Sequence, residues 1–386
     1  MSRPAQDEVR TLLLQLADQG GPRPPSSPAE ATIAAYLNAR LRRSGMRVDT
    51  REVHVTPYRS GAHILPTLLA ILAAVTLIWL PLPALLLAIW AVLAALANSL
   101  FAPLSDLLPR RPSQTIIANR AVEPHDTDRP AAPRRRVLLI APLDTPPQRH
   151  GLATLAGPGR SATLLRLLLL ALPGISAALS LWYPAFALSL GVISTLAQVP
   201  LLIAARTPPT LSTPFDGGIG ALATLIATAQ RLTGLQHVEL WAIGVGGAYA
   251  DRAGVELVVR RFPFHPGETL AIVIQHLDQG QLSYATRTGA LGNHPMSNQL
   301  LQFAAAVDAS DSSIDAEPRP YYADDDLTLP FLRRAIPTLC ILSLPNGESN
   351  SNATPADPAL VERAARLIAG IVRRLDAAVA HETSKA

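Results

Sequence analysis

Several side chains in this sequence that can act on protons or cations follow short apolar runs. Asp144 follows Val137-Leu-Leu-Ile-Ala-Pro-Leu143, and Asp216 precedes Gly217-Gly-Ile-Gly220. His276 and Asp278 close the run that begins at Thr269, and Asp324, Asp325 and Asp326 are consecutive. Carboxylates and imidazoles are the groups that ligate zinc and transfer protons in hydrolysis. On a strand, the His276-Leu277-Asp278 spacing sends both polar side chains to one face. A cation site built from His276, Asp278 and Asp216 is one reading, and a hydrogen-bonded strand histidine is the other. Asp216 also reads as the N-cap of a helix, Asp278 before Gly280 as a turn residue, and Asp324–Asp326 as a solvated acidic loop.

Gly244-Val-Gly246-Gly247 follows a strand-like run, where glycines let backbone N–H groups approach phosphate. The third glycine of that fingerprint falls on Tyr249, and no acid follows at the expected distance, so a nucleotide reading is disfavoured. The single cysteine, Cys340, excludes an intrachain disulfide and a cysteine metal cluster. Net charge is +4, with no basic stripe interleaved with aromatics, so no nucleic-acid partner is expected. The basic run Arg134-Arg135-Arg136 reads as solvated charge or as a contact with anionic lipid.

The elements that must position these residues alternate helix and strand. Helices are expected over Ala29–Ser44, Gly217–Leu232, Asp251–Arg261, Pro295–Asp308 and Pro358–Ala378. Strands are expected over Val48–Val55, Arg136–Ala141, Val238–Ile243, Thr269–Leu277 and Pro337–Leu342. That order predicts an α/β domain with a mostly parallel sheet flanked by helices.

Two apolar blocks interrupt it. The chain of 386 residues is 49% hydrophobic and only 16% charged, with mean hydropathy +0.24; soluble domains carry about 25% charged residues. Between Arg59 and Asp106, and again between Arg166 and Arg206, there is no Asp, Glu, Lys or Arg. Each block has room for two spans of about 20 residues. Four transmembrane helices are expected at Ile64–Leu80, Ala84–Leu100, Leu167–Trp182 and Ala185–Ala205, paired as two inserted hairpins. Arginines flank the outer ends and the turns are uncharged, so the positive-inside rule places the soluble segments in the cytoplasm. The expected organisation is one discontinuous domain from 1–60, 109–160 and 207–386, with hairpins at 61–108 and 161–206.

Several segments together resemble the co-catalytic zinc aminopeptidases of metallopeptidase family twenty-eight, which also includes glutaminyl cyclase and glutamate carboxypeptidase. They are Gly21-Pro-Arg-Pro-Pro-Ser-Ser-Pro-Ala-Glu30, Ser44-Gly-Met-Arg-Val48 and Thr115-Ile-Ile-Ala-Asn119. They continue with Val137–Asp144, Phe215–Gly220, Ile274–Gly280, Pro330–Pro337 and Thr354-Pro-Ala-Asp357. The resemblance implies an aminopeptidase-like fold and a two-zinc site served by a glutamate base. It places metal-ligand positions at Asp216 and Asp278 and a histidine-orienting carboxylate at Asp144. Pro142 and Ala353 stand where it expects histidine ligands, and Gly246 and Gly247 stand at or beside its Glu pair. Asp324–Asp326 fall near its pocket lining.

A membrane-embedded pseudo-peptidase with a binding or scaffolding role is therefore expected, in contact with lipid, with no cofactor and an unidentified peptide or protein partner. The alternatives are a hydrolase with a rearranged zinc site and a transport or assembly subunit whose helices do the work.

Overall fold

The apolar run Val137–Ala141 is buried on both faces, which places it at the centre of a sheet covered on both sides. The computed structural model describes residues 3–19, 21–57, 59–101, 104, 108–123, 133–207, 210–211, 218–323, 325–344 and 356–384. Helices α1 (Arg3–Gln19) and α2 (Pro28–Arg43) lead into strand β1 (Arg47–Val55). Helices α3 (Ile64–Thr76) and α4 (Pro81–Phe101) come next, followed by β2 (Arg111–Arg120), β3 (Arg135–Pro142) and the short β4 (Pro147–Gln148). After α5 (Arg160–Trp182), α6 (Ala187–Arg206) and the short β5 (Thr210–Leu211) come α7 (Ile219–Arg231), β6 (Val238–Val245) and α8 (Ala253–Arg261). The chain continues through β7 (Thr269–Ile274), β8 (Gln281–Thr288), β9 (His294–Pro295), α9 (Asn298–Ser310), β10 (Glu317–Tyr321) and α10 (Leu329–Leu332). It closes with β11 (Thr338–Leu344) and α11 (Pro358–Ser384).

The main sheet has the order β1-β2-β6-β3-β7-β11-β8-β10, with β9 paired to β8. Its centre, β6-β3-β7-β11, is parallel. The sheet is nevertheless mixed, not mostly parallel as expected, because β1 pairs antiparallel with β2, β2 with β6, and β8 with β11. Only Gln275–Gly280 join β7 to β8, too few residues for the crossover a parallel pair needs. One face of the sheet packs on α1, α2, α7, α9 and α11 through Leu16, Leu37, Leu222, Leu300 and Leu367. The other packs on α8 and α10 through Val255, Val258 and Phe331. Full burial of each such side chain contributes about 1.5–3 kcal/mol.

Helices α3–α6 form a bundle apart from the sheet. Its faces meet at small residues: a Cβ on Gly174 would lie 3.1 Å from Ala88 Cβ, and one on Gly191 would lie 3.0 Å from the Ala74 carbonyl. Buried polar groups bind each other, Ser176 Oγ to Ser194 Oγ at 2.8 Å and Gln198 Nε2 to the Leu169 carbonyl at 2.7 Å. Small contacts and internal hydrogen bonds are how helices associate in lipid. Three helices are long and apolar enough to cross a membrane, within Pro81–Ser99, Arg160–Trp182 and Pro184–Arg206. The first expected span is shorter than the sequence indicates: α3 has 13 residues and the chain turns at Leu77–Trp79 ahead of Pro81. Large apolar side chains left exposed among the described residues lie in this bundle, except Leu14 and Leu152; Trp79, Trp90, Trp182 and Phe186 are among the most exposed.

Both pairs of bundle helices leave the sheet at one edge. Strand β2 runs antiparallel to β6, and β1 antiparallel to β2, so Val55 and Arg111 lie beside the carboxyl ends of β6 and β3. Val55 and Arg111 are themselves cross-strand partners. The second pair is closed at its base by β4 and β5, which pair Pro147 with Leu211 and Gln148 with Thr210. The run Arg134–Arg136 lies at the opposite edge, where Arg136 pairs with Glu239 at 3.3 Å and Glu268 at 3.2 Å.

Because both stems are already closed by strand pairing, the helices are removable. Short Gly/Ser linkers replacing 59–108 and 149–209 are expected to give a chain that stays soluble without detergent and melts in one cooperative transition by circular dichroism. Aggregation of that chain, or separate melting of its last segment, would show that the bundle is part of the domain core.

Candidate functional site

The carboxyl edge of β6, β3 and β7 gathers buried polar groups from five segments. Ligand sites of α/β sheets form at this edge. The loop after β3 brings Asp144, whose side chain is fully buried. Its two carboxylate oxygens accept the Ala248 and Tyr249 backbone N–H groups, each at 2.9 Å. Asp144 was expected to orient a histidine; it instead holds the loop that follows β6. Burial pushes its carboxyl well above the usual range, and the neighbouring Glu30 charge pushes it further.

Glu30 enters from α2. Its Oε2 accepts the Ser26 N–H at 2.6 Å and the Ser113 hydroxyl at 2.9 Å, and its Oε1 accepts the Gly247 N–H at 3.1 Å. Ser27 Oγ meanwhile accepts the Glu30 N–H at 3.1 Å. In sequence this is Ser-Pro-Ala-Glu, the signature of a helix capping box. That local role hides the longer reach of the carboxylate. Burial raises the Glu30 carboxyl as well, against the lowering effect of its three donors and Arg23.

Gly246 and Gly247 leave no space for side chains. A Cβ on Gly246 would lie 2.3 Å from the Gln114 carbonyl, and one on Gly247, whose φ is +61°, would lie 2.4 Å from Val55 Cγ1. The N–H groups of residues 247, 248 and 249 point at Glu30 and Asp144. A phosphate cradle is therefore not available in this loop, since carboxylates already fill it.

After β7, Asp278 accepts the N–H groups of Gly218 at 3.2 Å and Gly220 at 3.1 Å. It thus caps α7 from the loop after β7, where its negative charge meets the positive helix end. The N-cap residue is Gly218, with φ +72°, rather than Asp216. Burial raises the Asp278 carboxyl, and these N–H donors oppose that. His276 does not share a face with Asp278 in a strand: β7 ends at Ile274, and His276 has φ +48°. Its Nε2 lies 3.4 Å from Asp325 Oδ2, and its ring is 5.0 Å from that of Tyr249. Burial lowers the proton affinity of the imidazole, but the carboxylates of Asp325, Asp278 and Asp326 together outweigh that, leaving it raised.

The acidic run expected to be solvated is internal at its two described residues. Asp325 and Asp326 are buried, and Asp325 Oδ1 accepts the Tyr321 hydroxyl at 3.0 Å. Asp326 accepts the Thr328 N–H at 2.9 Å and hydroxyl at 2.6 Å, and also the Thr288 hydroxyl. Such acids look exposed in sequence, but threonine and tyrosine donors allow Asp325 and Asp326 inside.

Arg23 is the residue that the sequence did not mark. Its side chain is fully buried, and Nε donates to the Leu143 carbonyl at 2.8 Å. Its backbone is clasped by Thr145, whose hydroxyl accepts the Arg23 N–H and whose N–H donates to the Arg23 carbonyl, both at 2.9 Å. A Cβ placed on Gly218 would lie 3.8 Å from Arg23 Nη2 and 3.8 Å from the Asp144 carbonyl. The guanidinium thus adjoins the same backbone turn that Asp278 caps. Arginine stays charged under protein conditions.

Pro142 ends β3 opposite Val245 and offers no ligand atom. Asp216, Asp324 and Ala353 lie outside the described residues. Among the described residues no group of three or more His, Cys, Asp or Glu could hold a metal ion.

The Asp326 carboxyl is raised to about 6 by burial and the Asp325 charge, against the pull of the Thr328 donors and Arg252. An unfolded aspartate titrates near 4, so the folded chain binds more protons between those values. Asp326 therefore costs stability as pH rises through that window, on the order of 2–3 kcal/mol by pH 7. Asp326→Asn is expected to flatten the fall of the melting temperature between pH 4 and 7. Slopes equal to those of the parent chain would show that this carboxyl does not titrate there.

No family model and no curated protein matches the chain. Solved structures do match its fold. An aminopeptidase from Aneurinibacillus sp. strain AM-1 is 11% identical with a TM-score of 0.53, covering 96% of this chain and 93% of its own. BSAP, a zinc aminopeptidase from Bacillus subtilis, is 11% identical with a TM-score of 0.53, covering 96% and 95%. The glutaminyl cyclase of an Acidobacteriales bacterium is 12% identical with a TM-score of 0.52, covering 97% and 96%. The chain has the α/β fold shared by these two aminopeptidases and this glutaminyl cyclase.

Proposed function

We propose that this chain is a membrane-embedded pseudo-peptidase, which keeps the aminopeptidase-like fold as a binding or scaffolding surface. The observation that carries this reading is the state of the sheet's carboxyl edge. A zinc site needs about four N, O or S ligands, or roughly three and a water. The described residues of this edge do not fit that need. Asp144, Asp278 and Glu30 are bound to backbone N–H groups, Pro142 supplies no donor, and Gly246 and Gly247 sit too close to Gln114 and Val55 to be replaced by acids. Removal of a general base alone lowers turnover by about 10²–10⁴-fold.

Membrane insertion is supported by the exposed apolar surface of α3–α6, including the aromatic Trp79, Trp182 and Phe186 around the two turns. Aromatic rings of this kind favour the membrane interface. α4, at 21 residues, is about 31 Å long, close to the hydrocarbon thickness. On this reading the soluble segments are cytoplasmic and the site edge faces the bilayer, which favours a membrane-borne partner. The polar groups inside the bundle bind one another, which suits packing better than an ion pathway.

Full-length protein purified without chelator is expected to carry well under one zinc per chain, and to leave aminoacyl substrates intact after zinc is added. Stoichiometric zinc together with turnover that Asp278→Asn abolishes would establish a hydrolase with a rearranged site instead. For orientation, reporters fused after Arg111 and at Ala386 are both expected on the cytoplasmic side; an opposite report from either position would overturn the topology.

A further inference from the structure

We propose that the base of the second helix pair is a docking surface for anionic phospholipid, with headgroup phosphate at Arg149, Arg160 and Arg206 and acyl chains along α5 and α6. This rests on the membrane-embedded reading and deepens it by naming the lipid class.

The first observation is register. Helices α5 and α6 are antiparallel, joined by Ser176 to Ser194 and by Gln198 to the Leu169 carbonyl. From Leu169 back to Arg160 is about 13 Å of helix, and from Gln198 on to Arg206 about 12 Å, at 1.5 Å per residue. The two arginines therefore stand at one depth, and both are exposed.

The second is what each arginine continues. Arg160, Leu164 and Leu168 recur every four residues, on one face of α5. Leu164 and Leu168 are exposed by 49% and 59%. On α6 the same face carries Val199, Ile203 and Arg206, and both apolar residues are exposed by 45%. Each helix thus presents an open apolar strip with a cation at its base. A phospholipid has its parts in the same order, acyl chains and then phosphate.

The third is charge balance. No Asp or Glu occurs between Asp144 and Asp216. Arg149 is half-buried and lies against the turn that leads into α5: a Cβ on Gly157 would be 4.0 Å from Arg149 Cδ. Arg166 holds that turn by donating to the Leu155 and Gly157 carbonyls, at 3.0 and 3.4 Å. Arg149 Nη1 is buried with no hydrogen-bond partner. Burial pulls its guanidinium below the ordinary arginine value, and no carboxylate opposes that. An anion offsets the cost of a desolvated cation. Arg160 is fixed to the soluble domain, 4.9 Å above the Tyr322 ring, next to the bridge between Gly159 and Ala323. The basic run Arg134–Arg136, the lipid contact suggested by sequence, lies at the opposite edge of the sheet, with Arg136 paired to Glu239 and Glu268. Charge complementarity to an anionic leaflet therefore belongs to the bundle base.

The test uses the full chain in dodecyl maltoside, titrated with dioleoylphosphatidylglycerol, dioleoylphosphatidylcholine or inorganic phosphate and read as melting temperature. Phosphatidylglycerol is expected to raise it with a midpoint well below that of phosphatidylcholine, and phosphate to leave it unchanged. Arg160→Gln and Arg206→Gln are each expected to raise the phosphatidylglycerol midpoint about fivefold. Adding Arg149→Gln to both is expected to abolish the preference between the lipids. Arg134→Gln, Arg135→Gln and Arg136→Gln together, an equal loss of charge, are expected to keep the preference. If Arg149→Gln does not fold, the Arg160→Gln and Arg206→Gln double variant decides, since both side chains are exposed. Equal midpoints for the two lipids, an unchanged midpoint in that double variant, or loss of the preference in the Arg134–Arg136 variant would overturn the proposal. A rise with phosphate equal to that with phosphatidylglycerol would overturn it as well, as an anion site without lipid. Flotation with phosphatidylcholine vesicles after a carbonate wash reports the membrane reading separately. A chain that floats but shows no lipid preference retains that reading and loses this one; a chain that does not float loses both.

Discussion

Ionised side chains inside a protein must find donors or opposite charge, and at the carboxyl edge of this sheet that requirement governs the architecture. Glu30, Asp144 and Asp278 converge there from α2, β3 and the loop after β7. Each oxygen accepts a donor, and most of the donors are backbone N–H groups. Those N–H groups are available because the loop after β6 turns sharply at Gly247 and because α7 starts at Gly218 with its first turn open. The carboxylates in return hold the loop and the helix in position. Take away the acids and two turns lose their partners; take away the turns and the acids are left bare in a low-dielectric interior.

The same edge carries the apolar helices α3–α6. Inserting about 50 residues between β1 and β2 leaves the sheet intact because Val55 and Arg111 are adjacent in the antiparallel ladder. Inserting a second pair between β3 and α7 is tolerated because β4 and β5 zip its base. In both cases the chain leaves and returns at one point, so the sheet experiences the insertion as a longer loop. Loop-closure entropy grows slowly with length, so such insertions are compatible with an unchanged core. Arg166 secures the second stem, donating to the Leu155 carbonyl at 3.0 Å and to Thr163 Oγ1 at 3.1 Å.

Arg23 and Glu30 illustrate what local reading misses. Glu30 looks like half of a capping box, and it is one, but its carboxylate also reaches Gly247 from 217 residues away. Arg23 sits in a proline-rich stretch that reads as a loop, and loop arginines are normally solvated. Asp325 and Asp326 read as surface acids for the same reason. In each case the deciding partner is distant in sequence: Thr145 for Arg23, Ser113 for Glu30, Thr288 for Asp326. The one signal in the sequence was negative. Glycines stood where acids were expected, and the acid that now meets that loop had to come from elsewhere.

The sequence by itself determined the classes of element. Hydrophobic runs of strand length, amphipathic helices and two long uncharged blocks are periodicity and composition, and these depend on neighbours along the chain. The order of motifs also pointed to the aminopeptidase-like fold. Tertiary structure decided three other matters. β8 runs against the parallel centre of the sheet because the Gln275–Gly280 connection is too short for a crossover. The first apolar helix stops at Thr76 because the chain must turn before Pro81. And Asp278 and Asp144 accept backbone N–H groups that belong to segments far away in sequence and are brought there only by the packed fold.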